Sequence, residues 1–346
     1  MNIAVLLGGI STERSISLKS GRAVANGLKN LGHNVFPIDP ALGAAGLLMD
    51  LDMNNHIDPF TLEELAKFTP KSYLECLNSS LFDNIDVAFI VLHGKYGEDG
   101  LIQSLLELRG IPYTGSNVKS SALAMDKIHS KILFTASGVP TPAWTIIHPK
   151  DYDNYDFYKE IRSELGAKIV IKPNDQGSTI GVTVVETGNL DDIHTGIMEA
   201  AKYSKNVLIE KYIEGREMTV SLVGDNIFPI IEIIPEGGYY DYKHKYTKGQ
   251  TEYQCPADLD EYLAEFTQNM ADMAFRALGC YGFGRVDFRL DEDGQPFCLE
   301  VNTIPGFTET SLVPKAAAAV DIGFDELCQQ IIDLALNKDK PFEETE

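Results

Sequence analysis

Along the chain, short β-branched apolar runs alternate with longer stretches whose apolar residues recur at helical spacing. Ile3 to Leu7 is fully apolar and ends at Gly8-Gly9. After Ser11-Thr12, the residues Ile16, Ala23, Val24, Leu28 and Leu31 follow a helical pattern that closes at Gly32. Val35 to Ile38 and Val87 to Leu92 read as further buried strands, and apolar runs set between helices predict a parallel sheet. Helices are predicted over Gln103 to Arg109 and Ser120 to Ser137, stopped by Gly110-Ile-Pro112 and Gly138-Val-Pro140. From Ala41 to Asn84 only weak helical patterns surface (Leu62, Leu65, Ala66; Tyr73, Leu74, Leu77), and they carry no assignable chemistry.

Beyond Pro149 the pattern changes to strand next to strand. Lys168 to Lys172 and Gly181 to Glu186 are joined by Pro-Asn-Asp-Gln-Gly-Ser-Thr-Ile, and Val207 to Lys211 and Glu217 to Val223 lie around Gly215. Gly284 to Leu290 and Pro296 to Asn302 flank the turn Asp291-Glu-Asp-Gly294, and a helical tail follows. The expected fold class is therefore α/β at the amino end and antiparallel-rich α+β after it.

Composition narrows the function. At 346 residues the chain has room for two or three lobes. Its 29 Lys+Arg and 51 Asp+Glu give a net charge of −22, which repels phosphate backbones and acidic lipid, so nucleic-acid and membrane partners are not expected. Any phosphate must be met locally. The amino terminus lacks a positive leader, and no apolar run approaches the ~18 residues of a membrane span, so a cytoplasmic protein is expected. The five cysteines (Cys76, Cys255, Cys280, Cys298, Cys328) are scattered without CxxC spacing and read as reduced packing residues.

Two features could carry chemistry. Alternation along the last strand pair puts Arg285 and Asp287 on one face, and Glu300 and Asn302 on one face of the neighbour, which the Asp-Gly hairpin can bring together. Two carboxylates and an amide oxygen suit Mg²⁺, although the same pattern describes the exposed face of an edge hairpin. The second feature is Asp175-Gln-Gly-Ser-Thr-Ile-Gly181, preceded by Lys172. Its backbone N–H groups could cradle a phosphate, or it could be an ordinary turn. No GxxxxGK[ST] or GxGxxG string occurs.

The order of these elements resembles the ATP-grasp superfamily, and the detail resembles the D-alanine:D-alanine ligase family. The matching strings include Leu6-Leu-Gly-Gly-Ile-Ser-Thr-Glu-Arg14, His93-Gly-Lys-Tyr-Gly-Glu-Asp-Gly100, Pro112-Tyr-Thr-Gly-Ser116 and Met125-Asp-Lys127. They continue with Ile171-Lys-Pro173, Gly177-Ser-Thr-Ile-Gly181, Glu210-Lys-Tyr212, Tyr240-Asp-Tyr-Lys-His-Lys-Tyr246 and Cys255-Pro-Ala257. Gly284-Arg-Val-Asp287, Glu300-Val-Asn-Thr-Ile-Pro-Gly306 and Ser311-Leu312 complete the series, in the family's order and over nearly the whole chain. The resemblance implies an ATP-grasp fold with an amino-terminal Rossmann-like (pre-ATP-grasp) lobe. Its expected division is 1–120 for amino-acid binding, 121–214 for the phosphate lid and adenine hinge, and 215–346 for the metal sites and oxyanion donors.

The resemblance also implies roles. Lys127 and Lys172 are expected to contact ATP phosphates, with Ser178 and Thr179 on the lid. Glu210 and the backbone from Lys211 through Tyr212 to Ile213 form the adenine hinge, and Glu217 the ribose contact. Asp287, Glu300 and Asn302 match the ligands of two Mg²⁺ ions, for which Mn²⁺ can substitute. Arg285 and the Gly306 N–H match donors to a tetrahedral intermediate, and Ser311 and Leu312 border the second substrate. Glu13 is placed against the ammonium of the first D-alanine, linked through Ser178 and Tyr246. His93 is a first-substrate neighbour or a packing residue, and Lys245 and Tyr246 lie on a stretch suited to a closing loop or a solvated linker.

The implied activity is ATP-dependent joining of two D-alanines through D-alanyl phosphate, for peptidoglycan precursors, by a homodimer. The sequence departs from the family at Thr179, commonly serine, and at the variable pair Glu309-Thr310. Segments 41–84 and 151–164 have no match. D-Serine or D-lactate as second substrate is the rival within the fold, against which Tyr246 argues. A nucleotide-binding regulator without turnover is the rival in another class.

Overall fold

A computed structural model of the chain describes residues 1–48, 60–235 and 251–338. The first layer is a three-stranded parallel sheet, β1 (Asn2–Leu6), β2 (Asn34–Ile38) and β3 (Val87–Ile90), in the order β2-β1-β3. Ile3, Ala4, Val5 and Leu6 are wholly buried, because β1 is the central strand and is covered on both faces. The parallel sheet expected from the apolar runs is present. Helix α1 (Arg14–Asn30) leaves the Gly8-Gly9 turn. In the weakly patterned segment stand α2 (Leu62–Leu65) and α3 (Lys71–Leu77), followed by α4 (Leu101–Arg109). Residues 49–59 of that segment lie outside the described residues.

The single helix expected over Ser120 to Ser137 is two helices, α5 (Val118–Met125) and α6 (Lys127–Ala136). Asp126 between them is extended (φ −87°, ψ 98°), and its carboxylate caps α6 by accepting from the His129 N–H at 3.0 Å. Asn174 supplies the other reason for the break. Its carbonyl accepts from Lys127 N (3.2 Å) and its side-chain oxygen from Ile128 N (2.9 Å), so the loop after the next sheet's strand fixes where α6 begins. Lys127 is thereby held at the first turn of α6, beside the Gly-rich loop.

A second, antiparallel sheet runs β4-β7-β5-β6, from β4 (Trp144–Ile147), β5 (Lys168–Pro173), β6 (Thr183–Glu186) and β7 (Val207–Lys211), with α7 (Tyr155–Leu165) and α8 (Leu190–Ala201) packed on it. The third sheet runs β11-β10-β8-β12-β13, from β8 (Arg216–Val223), β10 (Ile231–Pro235), β11 (Thr251–Gln254), β12 (Phe283–Leu290) and β13 (Pro296–Asn302); short β9 (Asn226–Ile227) pairs with β8. Helix α9 (Glu261–Ala277) covers one face, and the chain ends in α10 (Leu312–Ala318) and α11 (Phe324–Asn337).

Packing crosses the sequence order twice. Ala124, Phe134 and Val139, from the α5–α6 region, share a core with Met218, Val286, Phe288 and Cys298 of the third sheet. The terminal helices give Val313, Leu327, Ile331 and Ile332 to the core of Ile3, Val5, Leu28 and Phe89 in the first. The five cysteines are free thiols, three of them buried, as their scatter suggested. Among the described residues no helix is long and apolar enough to cross a membrane.

Candidate active site

The β12–β13 pair brings its four polar residues into register: Arg285 faces Asn302 and Asp287 faces Glu300, with a β-bulge just after Asp287. The faces meet as the alternation predicts. Asp287 is the hub. Arg285 donates to it from Nε and Nη2, both at 2.8 Å, Asn302 donates from Nδ2 at 3.0 Å, and Thr219 on β8 donates its hydroxyl at 2.6 Å. Glu300 lies 3.0 Å from Lys127 Nζ, which also donates to the Gln176 carbonyl at 2.7 Å. Two carboxylates in register, each already holding a cationic side chain in a cleft, together with an amide oxygen, fit a hard divalent cation such as Mg²⁺. Among the described residues no group of three or more His, Cys, Asp or Glu side chains is placed to hold a metal.

The cleft above this strand pair is lined by Lys172, Ser178 and Thr179 from the Gly-rich loop, by Glu210, Lys211, Tyr212, Ile213 and Glu217, and by Arg285, Asp287, Glu300 and Leu312. Residues from two of the three expected segments, 121–214 and 215–346, thus meet in one cavity. Glu210, 2% exposed, is bracketed by two ammonium groups: Lys172 at 2.9 Å from one oxygen and Lys131 at 3.0 Å from the other. Burial works against its charge, yet these two lysines hold its carboxyl below the usual carboxylate range. Beyond it the hinge backbone is fixed by the neighbouring strands. Lys211 N donates to the Ala143 carbonyl (2.8 Å) and Tyr212 N to that of Lys168 (3.1 Å), while Arg289 donates to the Ile213 carbonyl (3.2 Å). Glu217 stands 3.6 Å from Arg289 at the cleft edge.

The Gly-rich loop joins strand to strand and reaches the first sheet. The Ser178 hydroxyl donates to Glu13, which stands at the N-cap position of α1 without using its side chain as a cap. Ser178 and Thr179 both adopt left-handed backbone (φ 51° and 61°), a conformation that disfavours a β-branched residue such as Thr179. Gly177 and Gly94 flank Glu13 closely. A Cβ would come within 3.1 Å and 2.9 Å of its Oε2, respectively, and Gly94 also adopts a positive φ of 65° that favours glycine.

Side chains of the first sheet's loops hold the loop that carries Gly306. The backbone of Ile304 is bonded at both ends: His93 Nδ1 donates to its carbonyl (2.8 Å) and its N–H donates to Glu98 (3.2 Å), which also accepts from Gly94 N (2.7 Å). Phe307 N donates to Ser20 of α1 (3.1 Å). Ser311 begins α10, and its hydroxyl accepts from Thr308 N (2.9 Å); a Cβ on Gly306 would lie 3.5 Å from that oxygen. His93 is buried, and its bond to Ile304 braces this loop. Lys245 and Tyr246 lie outside the described residues.

Three residues of the site were not singled out from the sequence. Glu98 sits inside the His93–Gly100 string, and burial together with the Glu13 carboxylate pushes its carboxyl up to about 8. Thr219 is paired with Asp287 by strand register, visible only once β8 is set beside β12. Lys131 lies four residues after Lys127 and three before Phe134, so helical spacing puts it on the buried face of α6. That signal was available.

A Gly-rich loop between two strands of one antiparallel sheet, set across a cleft from strands of a second that carry a carboxylate–arginine site, is the arrangement of an ATP-grasp ligase. The comparisons with known proteins specify which one. Family models described as D-ala D-ala ligase N-terminus and C-terminus match residues 2–116 and 133–333. The D-alanine–D-alanine ligase of Syntrophotalea carbinolica is 41% identical over 330 residues, 95% of this chain and 94% of that protein. Among solved structures, the D-alanine–D-alanine ligase of Bacillus anthracis complexed with ATP superposes with a TM-score of 0.76 at 31% identity, covering 99% of this chain and 100% of that one. The VanG D-Ala:D-Ser ligase of Enterococcus faecalis gives 0.78 at 30% identity, covering 96% and 99%. The chain belongs to the D-alanine–D-alanine ligase family.

Proposed function

We propose that the protein joins two D-alanines into D-alanyl-D-alanine, converting ATP to ADP and phosphate, for peptidoglycan precursor synthesis. One observation carries the reading: the Ser178 hydroxyl on the Gly-rich loop donates to Glu13 at the start of α1. It ties a loop suited to phosphate to a carboxylate suited to an amino acid's ammonium, an arrangement that a nucleotide sensor without turnover does not need.

In the first step the carboxylate of one D-alanine attacks the γ-phosphorus of ATP, and ADP leaves. Lys127 and Lys172 neutralise phosphate charge, and Glu13 fixes the ammonium so that the carboxylate approaches in line. In the second, the amine of another D-alanine attacks the acyl carbon and phosphate departs. Arg285 and the Gly306 N–H face the oxyanion, and the bonds to Ile304 and Phe307 keep the Gly306 loop in place beforehand. Ser311 and Leu312, at the start of α10, receive the second substrate's carboxylate end. Asp287, Glu300 and Asn302 would hold Mg²⁺, or Mn²⁺ in its place, which supplies charge neutralisation at the triphosphate.

Glu210, the Lys211–Ile213 backbone and Glu217 receive adenine and ribose. The lobes 1–120, 121–214 and 215–346 divide amino-acid binding, nucleotide enclosure and metal binding, in a cytoplasmic homodimer without nucleic-acid or membrane partners. The test offers ATP, Mg²⁺ and D-alanine, alone and with equimolar D-serine or D-lactate, and identifies products by mass. D-Alanyl-D-alanine as the main product in every mixture supports the proposal. A mixed dipeptide, a depsipeptide, or ADP without condensed product overturns it.

A further inference from the structure

We infer that Lys131, which does not line the cleft, is a positioning residue for the nucleotide: it neutralises Glu210 so that the positive charge of Lys172 stays available to ATP. The inference rests on reading the cleft as the ATP site and extends it to a residue behind the wall. Lys131 is wholly buried, and its ammonium is directed at three acceptors: Glu210 at 3.0 Å, the Thr141 hydroxyl at 2.5 Å and the Pro142 carbonyl at 3.2 Å. Its two hydrogen bonds, to Thr141 and Pro142, and its ion pair with Glu210 all lie inside the protein. Glu210 and Lys172 line the cleft, and they are 2.9 Å apart.

Packing alone does not explain the ammonium. A methionine of similar length would fill the space without desolvating a charge, and buried ion pairs bring little net stability over apolar isosteres. Charge does explain it. Lys131, Glu210 and Lys172 together carry one net positive charge; without Lys131, the pair that faces the cleft is neutral, and a triphosphate meets no net attraction from it. The Thr141 hydroxyl, which accepts from Lys131, donates to the Cys298 carbonyl at 2.8 Å, so the cluster is also tied to β13, the strand that bears Glu300 and Asn302.

The test measures binding of ADP and of adenosine by calorimetry, and KM for ATP and for D-alanine, in wild type, Lys131→Met and Lys131→Gln. Losing one unit of charge at such a partly screened site is expected to weaken ADP roughly tenfold in Lys131→Met and raise KM for ATP similarly, with adenosine affinity and KM for D-alanine nearly unchanged. A role in folding alone would not separate ADP from adenosine, which lacks phosphate. A folded Lys131→Met with wild-type ADP affinity overturns the inference, as does one that loses adenosine as much as ADP. If Lys131→Met does not fold, Lys131→Gln is read in the same way, and failure of both to fold overturns the inference. Wild type that binds no ADP would instead remove the nucleotide reading itself.

Discussion

Arg285 and Asp287, two residues apart on one strand, are joined by two hydrogen bonds of 2.8 Å, from Nε and Nη2 to the two carboxylate oxygens. The guanidinium is 6% exposed and its direction is set before any substrate arrives, which is what a donor to a developing oxyanion requires. Arg285→Ala is expected to fold and bind ADP but to lose ~10²–10³ in kcat, as for other oxyanion donors. Arg285→Lys, which keeps the charge without the fork, is expected to recover little. Steady-state kinetics beside ADP calorimetry checks both, and near-normal turnover in Arg285→Ala would remove the assignment.

Thr219 acts on the same carboxylate from the other side, at 2.6 Å. Thr219→Val removes the donor and keeps the shape. Loss of an outer partner of a metal ligand typically weakens metal binding ~10–100-fold, so the Mg²⁺ concentration at half-maximal activity is expected to rise by at least the lower figure. An unchanged Mg²⁺ titration would dissociate Asp287 from the metal.

Ser178 and Glu13 are coupled across the cleft. Ser178→Ala is expected to raise KM for D-alanine about tenfold, the order of a hydrogen bond to a charged group, while ADP affinity stays within about twofold. Because the two residues act through one bond, Ser178→Ala with Glu13→Gln should lose less than the sum of the single variants. Strict additivity in that cycle would show that the contact does not serve binding.

Glu98 gives a pH dependence whose sign can be worked out. Burial, then the carboxylate of Glu13, raise its folded pKa to about 8, above the ~4.3 of an unfolded glutamate, so between those values the folded state holds a proton that the unfolded state releases. Stability from this group is full below the unfolded pKa and falls as pH rises toward 8. Glu98→Gln should flatten the slope of denaturation midpoint against pH relative to wild type. Identical slopes in the two proteins would show that Glu98 titrates normally.

The parts of this site written in strand alternation could be read directly: that Arg285 and Asp287 share one face, and Glu300 and Asn302 one face of the neighbour, follows from period two, whereas the facing pairs Arg285–Asn302 and Asp287–Glu300 also need the β-bulge after Asp287, which shifts the register by one residue. The break at Asp126 could not. It depends on Asn174, a residue 48 positions later that caps α6, and local helical pattern is silent about such a partner. Long-range polar contacts were hidden for the same reason, as with Glu98 and His93 gripping Ile304. Lys131 was hidden differently. A lysine on an apolar helix face reads as an irregularity in the pattern until the carboxylate that neutralises it comes into view.

The central claim is a ligation that passes through an acyl phosphate, and isotope transfer tests it most directly. Incubating the enzyme with ATP, Mg²⁺ and D-alanine labelled with ¹⁸O in both carboxylate oxygens should yield D-alanyl-D-alanine and ADP, with one ¹⁸O in each released phosphate, because the oxygen that attacks phosphorus leaves with it. Dipeptide formed with unlabelled phosphate, or labelled phosphate without dipeptide, would contradict the account.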